Sequence, residues 1–164
     1  MKIILIGIGF MGSGKTTVAN ILAKKLNLGV IEMDQLILEK SGRSNIVDIF
    51  TLDGEEHFRD LETKVFKEIS ALNNIIVSTG GGVVMKEQNK EHLENGKIFF
   101  LETSFAVLEK RLVNDDTRPL FKDKIKAKNL FNLRQNKYKE WADHIILTDE
   151  KSINEVVDSL LKYL

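Results

Sequence analysis

The 164-residue chain contains no cysteine, one proline, one tryptophan and two tyrosines. Without thiols there is no disulfide, no thiolate nucleophile and no zinc–thiolate centre. A chain of this kind fits a reducing cytosol, and a cytoplasmic location is expected. Net charge is missing too, because 24 Lys plus Arg balance 24 Asp plus Glu. Proteins of nucleic acid or of membrane surfaces usually carry a basic excess. Any anion bound here must therefore be captured by local placement of positive groups. No apolar run is long enough to span a bilayer. The opening, Met1-Lys2 and then Ile3-Ile4-Leu5-Ile6, is too short for a secretory leader and reaches no small-residue cleavage site. Repeats, low-complexity tracts and linkers are also lacking. The composition that remains, 43% hydrophobic and 29% charged, is that of an ordinary globular protein. At this length one domain spanning 1–164 is expected.

What is present begins with Gly9-Phe10-Met11-Gly12-Ser13-Gly14-Lys15-Thr16. This fits G-x-x-x-x-G-K-[ST], the P-loop that cradles nucleotide phosphates. An apolar run that reads as a buried strand precedes it. Val18, Ile21, Leu22 and Leu26 follow at helical spacing. Glycines let consecutive N–H groups turn inward, and the helix N-terminus adds partial positive charge. Lys15 would reach the β- and γ-phosphates, and the Thr16 hydroxyl would hold Mg²⁺.

Further along, strand and helix alternate. Leu28–Met33, Ile75–Ser78, Lys97–Leu101 and His144–Leu147 read as strands. Asp34–Lys40, Asn45–Leu52, 86–94, Phe105–Val113 and Ala127–Trp141 read as helices. Another helix starts at Asp53 with Glu56 in a capping box, and its stripe is Phe58, Leu61, Val65, Ile69 and Leu72. The last is capped by Ser152 with Glu155. Five short apolar strands separated by helices imply an α/β fold with a parallel sheet covered on both faces. Ligands of such folds sit beyond the strands' C-terminal ends.

Several charged residues fall near that edge, each with two readings. Glu32 and Asp34 alternate at the close of the second strand, so both carboxylates can face the cleft, one orienting or deprotonating an acceptor hydroxyl and the other holding water on Mg²⁺. Asp34 is equally placed to cap the next helix. Arg59 has Glu55 at i−4 and Glu62 at i+3, the pattern of a helix-surface salt bridge. Arg134 shares a helical face with Leu130, Tyr138 and Trp141. A charge on such a stripe costs several kcal/mol unless an internal carboxylate or a bound anion pairs with it. Gly80-Gly81-Gly82 is either a flexible turn or a place where a ligand approaches backbone. Arg118, fixed by Pro119 in the polar segment 114–126, is either a solvated arginine or the working residue of a mobile lid.

Together these pieces resemble shikimate kinase. The likeness rests on Gly9–Lys15, on Ile49-Phe50 through Gly54-Glu55-Glu56-His57-Phe58-Arg59 to Glu62, on Ser78-Thr79-Gly80-Gly81-Gly82-Val83-Val84, and on Thr117-Arg118-Pro119-Leu120. The resemblance implies a P-loop kinase three-layer α/β/α sandwich with a five-stranded parallel sheet and a mobile lid. It implies ATP as co-substrate, Mg²⁺, and phosphorylation of the shikimate 3-hydroxyl on the way to chorismate and aromatic amino acids, by a monomer with no nucleic-acid or membrane partner. Arg59 and Arg134 would hold shikimate's carboxylate. Asp34 and the backbone of Gly80, Gly81 and Gly82 would meet its hydroxyls, Phe50 and Phe58 would line the wall, and Glu62 would orient Arg59. Gly12, Ser13, Gly14, Lys15, Thr16 and Thr17 would hold the nucleotide, Arg111 would pack on adenine, and the loop Thr148–Ser152 would complete that site. Lys15, Asp34 and Arg118 would act in the chemistry, and Thr16, with Glu32 through water, would serve the metal.

The chain departs from the family's pattern in three places. Glu32-Met33-Asp34 replaces Asp-x-Asp, and the extra methylene leaves Glu32's hold on the metal's water open. Asn136 stands where a proline is frequent. Ala19 replaces a common glycine. Rival readings are another small-molecule kinase of the same architecture, such as a gluconate or nucleoside-monophosphate kinase, and a nucleotide-binding switch without turnover.

Overall fold

A computed structural model describes residues 4–112 and 123–164, with the backbone alone for residues 4–8. The strands are β1 (Ile4–Ile8), β2 (Gly29–Glu32), β3 (Ile75–Ser78), β4 (Lys97–Glu102) and β5 (His144–Leu147). All pair in parallel, in the order β2-β3-β1-β4-β5. The helices are α1 (Lys15–Leu26), α2 (Met33–Ser41), α3 (Ile46–Asp48), α4 (Glu55–Ile69), α5 (Gln88–Glu91), α6 (Phe105–Leu112), α7 (Lys124–Trp141) and α8 (Ile153–Leu161).

The period-two alternation of the strands divides the interior into two cores. Val77, Ile98 and Phe100 face Met33, Ile37, Val65, Phe66, Tyr138 and Trp141 of α2, α4 and α7. Ile76, Phe99, Leu101 and Ile146 face Val18, Leu22, Val156, Val157 and Leu160 of α1 and α8. Helices on both faces of a parallel sheet give the expected three layers. They also explain why the strands read as unbroken apolar runs. The capping box of Ser152 and Glu155 forms as expected, worth about 1 kcal/mol to α8.

Five local expectations need correction. The helix after Asp53 is capped by Gly54 without a side-chain hydrogen bond. Asp53 instead accepts two hydrogen bonds from Arg43, at 2.9 and 2.6 Å. An arginine fork satisfies both carboxylate oxygens and outcompetes one backbone N–H. Leu72 lies beyond the end of α4 and is 43% exposed, so the buried stripe stops at Ile69. The helix expected over Asn45–Leu52 divides into the single turn α3 and a π-helical turn, Ile49–Asp53. The helix expected over 86–94 shrinks to α5, preceded by a 3-10 turn at Val83–Met85. Finally, α7 starts at Lys124, three residues before Ala127, because the Asp123 side chain accepts from the Lys126 N–H. Of the expected lid, residues 114–122, with Arg118 and Pro119, lie outside the described residues.

Candidate active site

The phosphate loop leaves the C-terminal end of the central strand β1 and enters α1. Gly12 (φ 81°) and Gly14 (φ 93°) are left-handed, a conformation that L side chains resist. Gly14 is the N-cap of α1 and offers no side-chain cap, and no acidic residue stands in the first turn. The helix end keeps its N–H groups and its positive pole for an anion. Behind the loop, a Cβ on Gly12 would come within 2.7 Å of Leu112 Cδ1. Arg111 Nη1 donates to the Gly12 carbonyl at 2.9 Å, so the end of α6 braces the loop. Lys15 Nζ donates to the carbonyls of Gly9 (2.8 Å) and Phe10 (3.0 Å). The start of α8, just past the β5–α8 loop, comes alongside, and its Ile153 Cδ1 lies 3.7 Å from where a Gly14 Cβ would be. Within that loop Thr148 is buried and bonded to the Thr103 hydroxyl, and Asp149 accepts from the Ser104 N–H.

A cleft of about 240 Å³ opens beside the loop. Its walls bring together Gly12, Gly14, Lys15, Thr16 and Thr17 with Glu32, Asp34, Gly80 and Gly81. The two carboxylates reach it differently from the sequence expectation. Glu32 is the extended N-cap of α2, and Asp34 is already in the helix's first turn. Alternation along a strand is therefore not what aligns them. Met33, fully buried between them, turns inward and leaves its neighbours on the cleft side. Asp34 does not cap α2, and Glu32 caps it only through its position. Glu32 Oε1 is buried with no hydrogen-bond partner among the described residues.

The triple glycine is where the charged side chains meet. A Cβ on Gly80 would stand 2.8 Å from Asp34 Oδ1 and 3.3 Å from Glu62 Oε2. On Gly81 it would stand 3.4 Å from Arg134 Nη1. On Gly82 it would overlap the Arg59 guanidinium. Three helices, α2, α4 and α7, thus each send a charged group to three consecutive backbone positions. The flexible-turn reading does not account for this crowding. The cleft's walls end at Gly81, and neither arginine is among them.

Arg59 is 8% exposed, not on the surface. Its Nη1 holds Glu62 Oε1 at 2.9 Å, and Nη2 lies 3.8 Å from the largely exposed Glu55. Burial pushes the Glu62 carboxyl above its usual range, against the pull of Arg59. Arg134 is 6% exposed. Burial pushes its pKa down, Tyr138 pulls it up, and the like charge of Arg59 pushes it down again. No carboxylate pairs with it among the described residues, and its Nε has no hydrogen-bond partner among them. Tyr138, fully buried, donates to the Gly81 carbonyl, and its hydroxyl and the Arg134 guanidinium stabilise one another's charged forms. Phe50 and Phe58 stack at 4.5 Å, with the Arg59 guanidinium 5.2 Å from the Phe58 ring centre.

Sequence reasoning missed Tyr138 as a site residue, although its i+4 spacing from Arg134 was the available signal. It also missed Phe10, whose ring centre lies 5.9 Å from the Arg134 guanidinium. No local pattern announces that contact. No group of three or more His, Asp or Glu residues forms a metal cluster among the described residues.

A parallel five-stranded sheet, a glycine cradle at the central strand and a carboxylate beside it define a P-loop kinase. The family model for shikimate kinase (SKI) matches residues 11–164. The shikimate kinase of Caldicellulosiruptor bescii is 42% identical over 156 residues, covering 91% of this chain and 90% of that protein. Among solved structures, shikimate kinase from Acinetobacter baumannii in complex with shikimate superposes with a TM-score of 0.91 at 30% identity, covering 99% of this chain and 92% of that one. The Aquifex aeolicus shikimate kinase gives 0.85 at 35% identity, covering 97% and 94%. The chain belongs to the shikimate kinase family.

Proposed function

We propose that this protein transfers the γ-phosphoryl group of ATP to the 3-hydroxyl of shikimate, giving shikimate 3-phosphate and ADP. This is a step of chorismate and aromatic amino-acid biosynthesis. The observation that carries the choice of acceptor is the buried charge around the triple glycine: two guanidinium groups stand there, and the buried carboxylate that meets them, Glu62, is ion-paired to Arg59 alone among the described residues. An unpaired buried cation costs several kcal/mol. An acid whose carboxylate meets Arg59 and Arg134 would return that cost.

Phosphoryl transfer asks the protein mainly for positioning and charge neutralisation. Gly12, Ser13, Gly14, Lys15, Thr16 and Thr17 hold the nucleotide phosphates, and Lys15 offsets the charge of the transferring group. Arg111 and the Thr148–Ser152 loop flank the nucleotide, a reading supported by the Arg111 hydrogen bond to Gly12 and by the approach of Ile153, the residue after that loop, to Gly14. Asp34, in the cleft wall across from the loop, aligns the acceptor hydroxyl and takes its proton. The backbone of Gly80, Gly81 and Gly82 carries the acid, Glu62 fixes Arg59, and Tyr138 fixes Arg134.

The donor set fits Mg²⁺, since Thr16 and the unpartnered Glu32 Oε1 both face the cleft. With so few protein oxygens, the ion would keep waters and phosphate oxygens as its main ligands. Mg²⁺ neutralises charge between the β- and γ-phosphates when bound. Arg118 completes the charge clamp on the γ-phosphate in this proposal, which rests on the Arg-Pro step of the sequence alone. A cysteine-free, charge-balanced chain supports a single-domain monomer working in the cytoplasm. No helix among the described residues is long and apolar enough to cross a membrane.

A coupled ADP-release assay, run with and without shikimate, tests the function. Release that requires shikimate supports it. Release with gluconate or a nucleoside monophosphate and none with shikimate refutes it, and no release with any acceptor points to the non-catalytic switch.

A further inference from the structure

Among the described residues, the side chain of Phe10 links the phosphate loop to the acid pocket. Phe10 lies inside the loop and is 1% exposed. Its ring faces Arg134 at 5.9 Å. Phe131, one turn before Arg134 on α7, meets the same ring edge-on at 5.4 Å and 79°. Phe105, at the head of α6, closes on Phe131 at 5.4 Å. The ring is thus gripped between loop and helix, with an arginine on its face. An aromatic face attracts a cation, unlike any other apolar surface. The same residue's carbonyl accepts from Lys15 Nζ and from the Ser13 N–H. Phe10 therefore contacts the phosphate-binding ammonium through its backbone and the acid-binding guanidinium through its ring.

We propose that Phe10 is a positioning residue that couples occupancy of the phosphate loop to the acid grip of Arg134. The proposal rests on the reading above that Arg134 binds the substrate carboxylate. Nucleotide phosphates compete with the Gly9 and Phe10 carbonyls for the Lys15 ammonium. Once that donor is drawn away, the Phe10 carbonyl loses one of its hydrogen bonds and keeps that from the Ser13 N–H, and the ring adjusts against Arg134 with the backbone. Acid affinity then depends on nucleotide, and nucleotide affinity on acid by the same factor. Differential contact in the two states is the physical requirement for such coupling, and the Lys15–Phe10 bond supplies it.

The test is calorimetric titration of shikimate with and without ADP and Mg²⁺, and of ADP alone. The proteins are wild type, Phe10→Leu, Phe10→Met, Arg134→Ala and the double variant Phe10→Leu/Arg134→Ala. In wild type, ADP should change shikimate affinity by about 5-fold or more, the lower range of ordinary couplings. Phe10→Leu and Phe10→Met should bring that factor close to one and weaken shikimate by about 5-fold, the scale of a buried cation–π contact. ADP binding alone should stay within about twofold, showing an intact loop. In the Arg134→Ala background, Phe10→Leu should add no further loss of shikimate. Unchanged coupling in both Phe10 variants, additive losses in the double variant, no ADP effect in wild type, or loss of ADP binding by both Phe10 variants each overturns the proposal. If Arg134→Ala itself leaves shikimate affinity intact, the carboxylate reading fails. If it weakens shikimate while Phe10→Leu behaves as wild type, only the role of Phe10 fails.

Discussion

Exchanging each buried arginine for methionine should move stability in opposite directions while damaging acid binding in both cases. Methionine keeps the length and the apolar stem. Arg134 is buried, with no carboxylate paired to it among the described residues and an unpartnered Nε among them. Replacing a buried ion by an apolar side chain is neutral or stabilising by about 1–4 kcal/mol. The lost polar interaction with the Tyr138 hydroxyl and the lost contact with the Phe10 ring take back about 1–2 kcal/mol. The net gain for Arg134→Met is about 1 kcal/mol, or about 2–4 °C in Tm for a chain of this size. Arg59→Met is the reverse case, because it strips Glu62, itself 1% exposed, of its ion-pair partner. Breaking a buried pair from one side costs about 3–5 kcal/mol, so its Tm should fall by about 6 °C or more. Under the proposed function both variants lose a partner for the substrate carboxylate, worth about 2–5 kcal/mol, so KM for shikimate should rise by about 30-fold or more. Thermal melts of the ligand-free proteins at neutral pH, paired with shikimate titrations, read both quantities. The reasoning is refuted if the two variants melt alike, or if either keeps its shikimate KM.

The remaining predictions are simpler. Asp34→Asn should lower kcat by about 10²-fold, the scale of a general base; near-normal turnover would remove Asp34 from the chemistry. Gly80→Ala should displace the Asp34 carboxylate, 2.8 Å from the added carbon, and lower kcat by about 10²-fold with Tm almost unchanged; a wild-type kcat would show that Asp34 has room to move. Burial raises the Glu62 pKa in the folded state, so between the ordinary carboxylate range and that raised value the folded protein binds the extra proton. Glu62 therefore costs stability as pH rises through that window, and the Tm deficit of Arg59→Met should shrink on acidification towards about pH 4.5. A deficit independent of pH would mean that Glu62 is not its source.

The sheet and the cradle were legible in the sequence because both are local. Continuous apolar strands imply a sheet covered on both faces, and glycines before a lysine and an amphipathic helix announce a phosphate loop. Arg134 was legible as an anomaly, since a charge on the Leu130–Tyr138–Trp141 stripe contradicts the period around it. Arg59 was harder. Its acidic neighbours at i−4 and i+3 look like surface pairing, and only the tertiary structure buries one of the two pairs. Asp53 misled as a cap because Arg43, ten positions earlier, competes for the same oxygens. The π-helical turn at Ile49–Asp53 has no composition that separates it from an ordinary helix. The convergence of α2, α4 and α7 on the three glycines was legible only through the family resemblance, because the residues themselves assign each helix its face but not the point where the faces cross.

At that crossing Gly80, Gly81 and Gly82 each yield the volume of a missing side chain to an arriving group: Asp34, Arg134 and Arg59 in turn. The strip thus resists gradual change, since an added methyl overlaps Asp34 at Gly80 and Arg59 at Gly82 and at Gly81 presses on Gly9, Tyr138 and Arg134. A descendant of this enzyme that took a different acceptor would have to remodel elsewhere, on the stacked rings of Phe50 and Phe58 or at Met11 in the cleft wall, and leave these glycines alone.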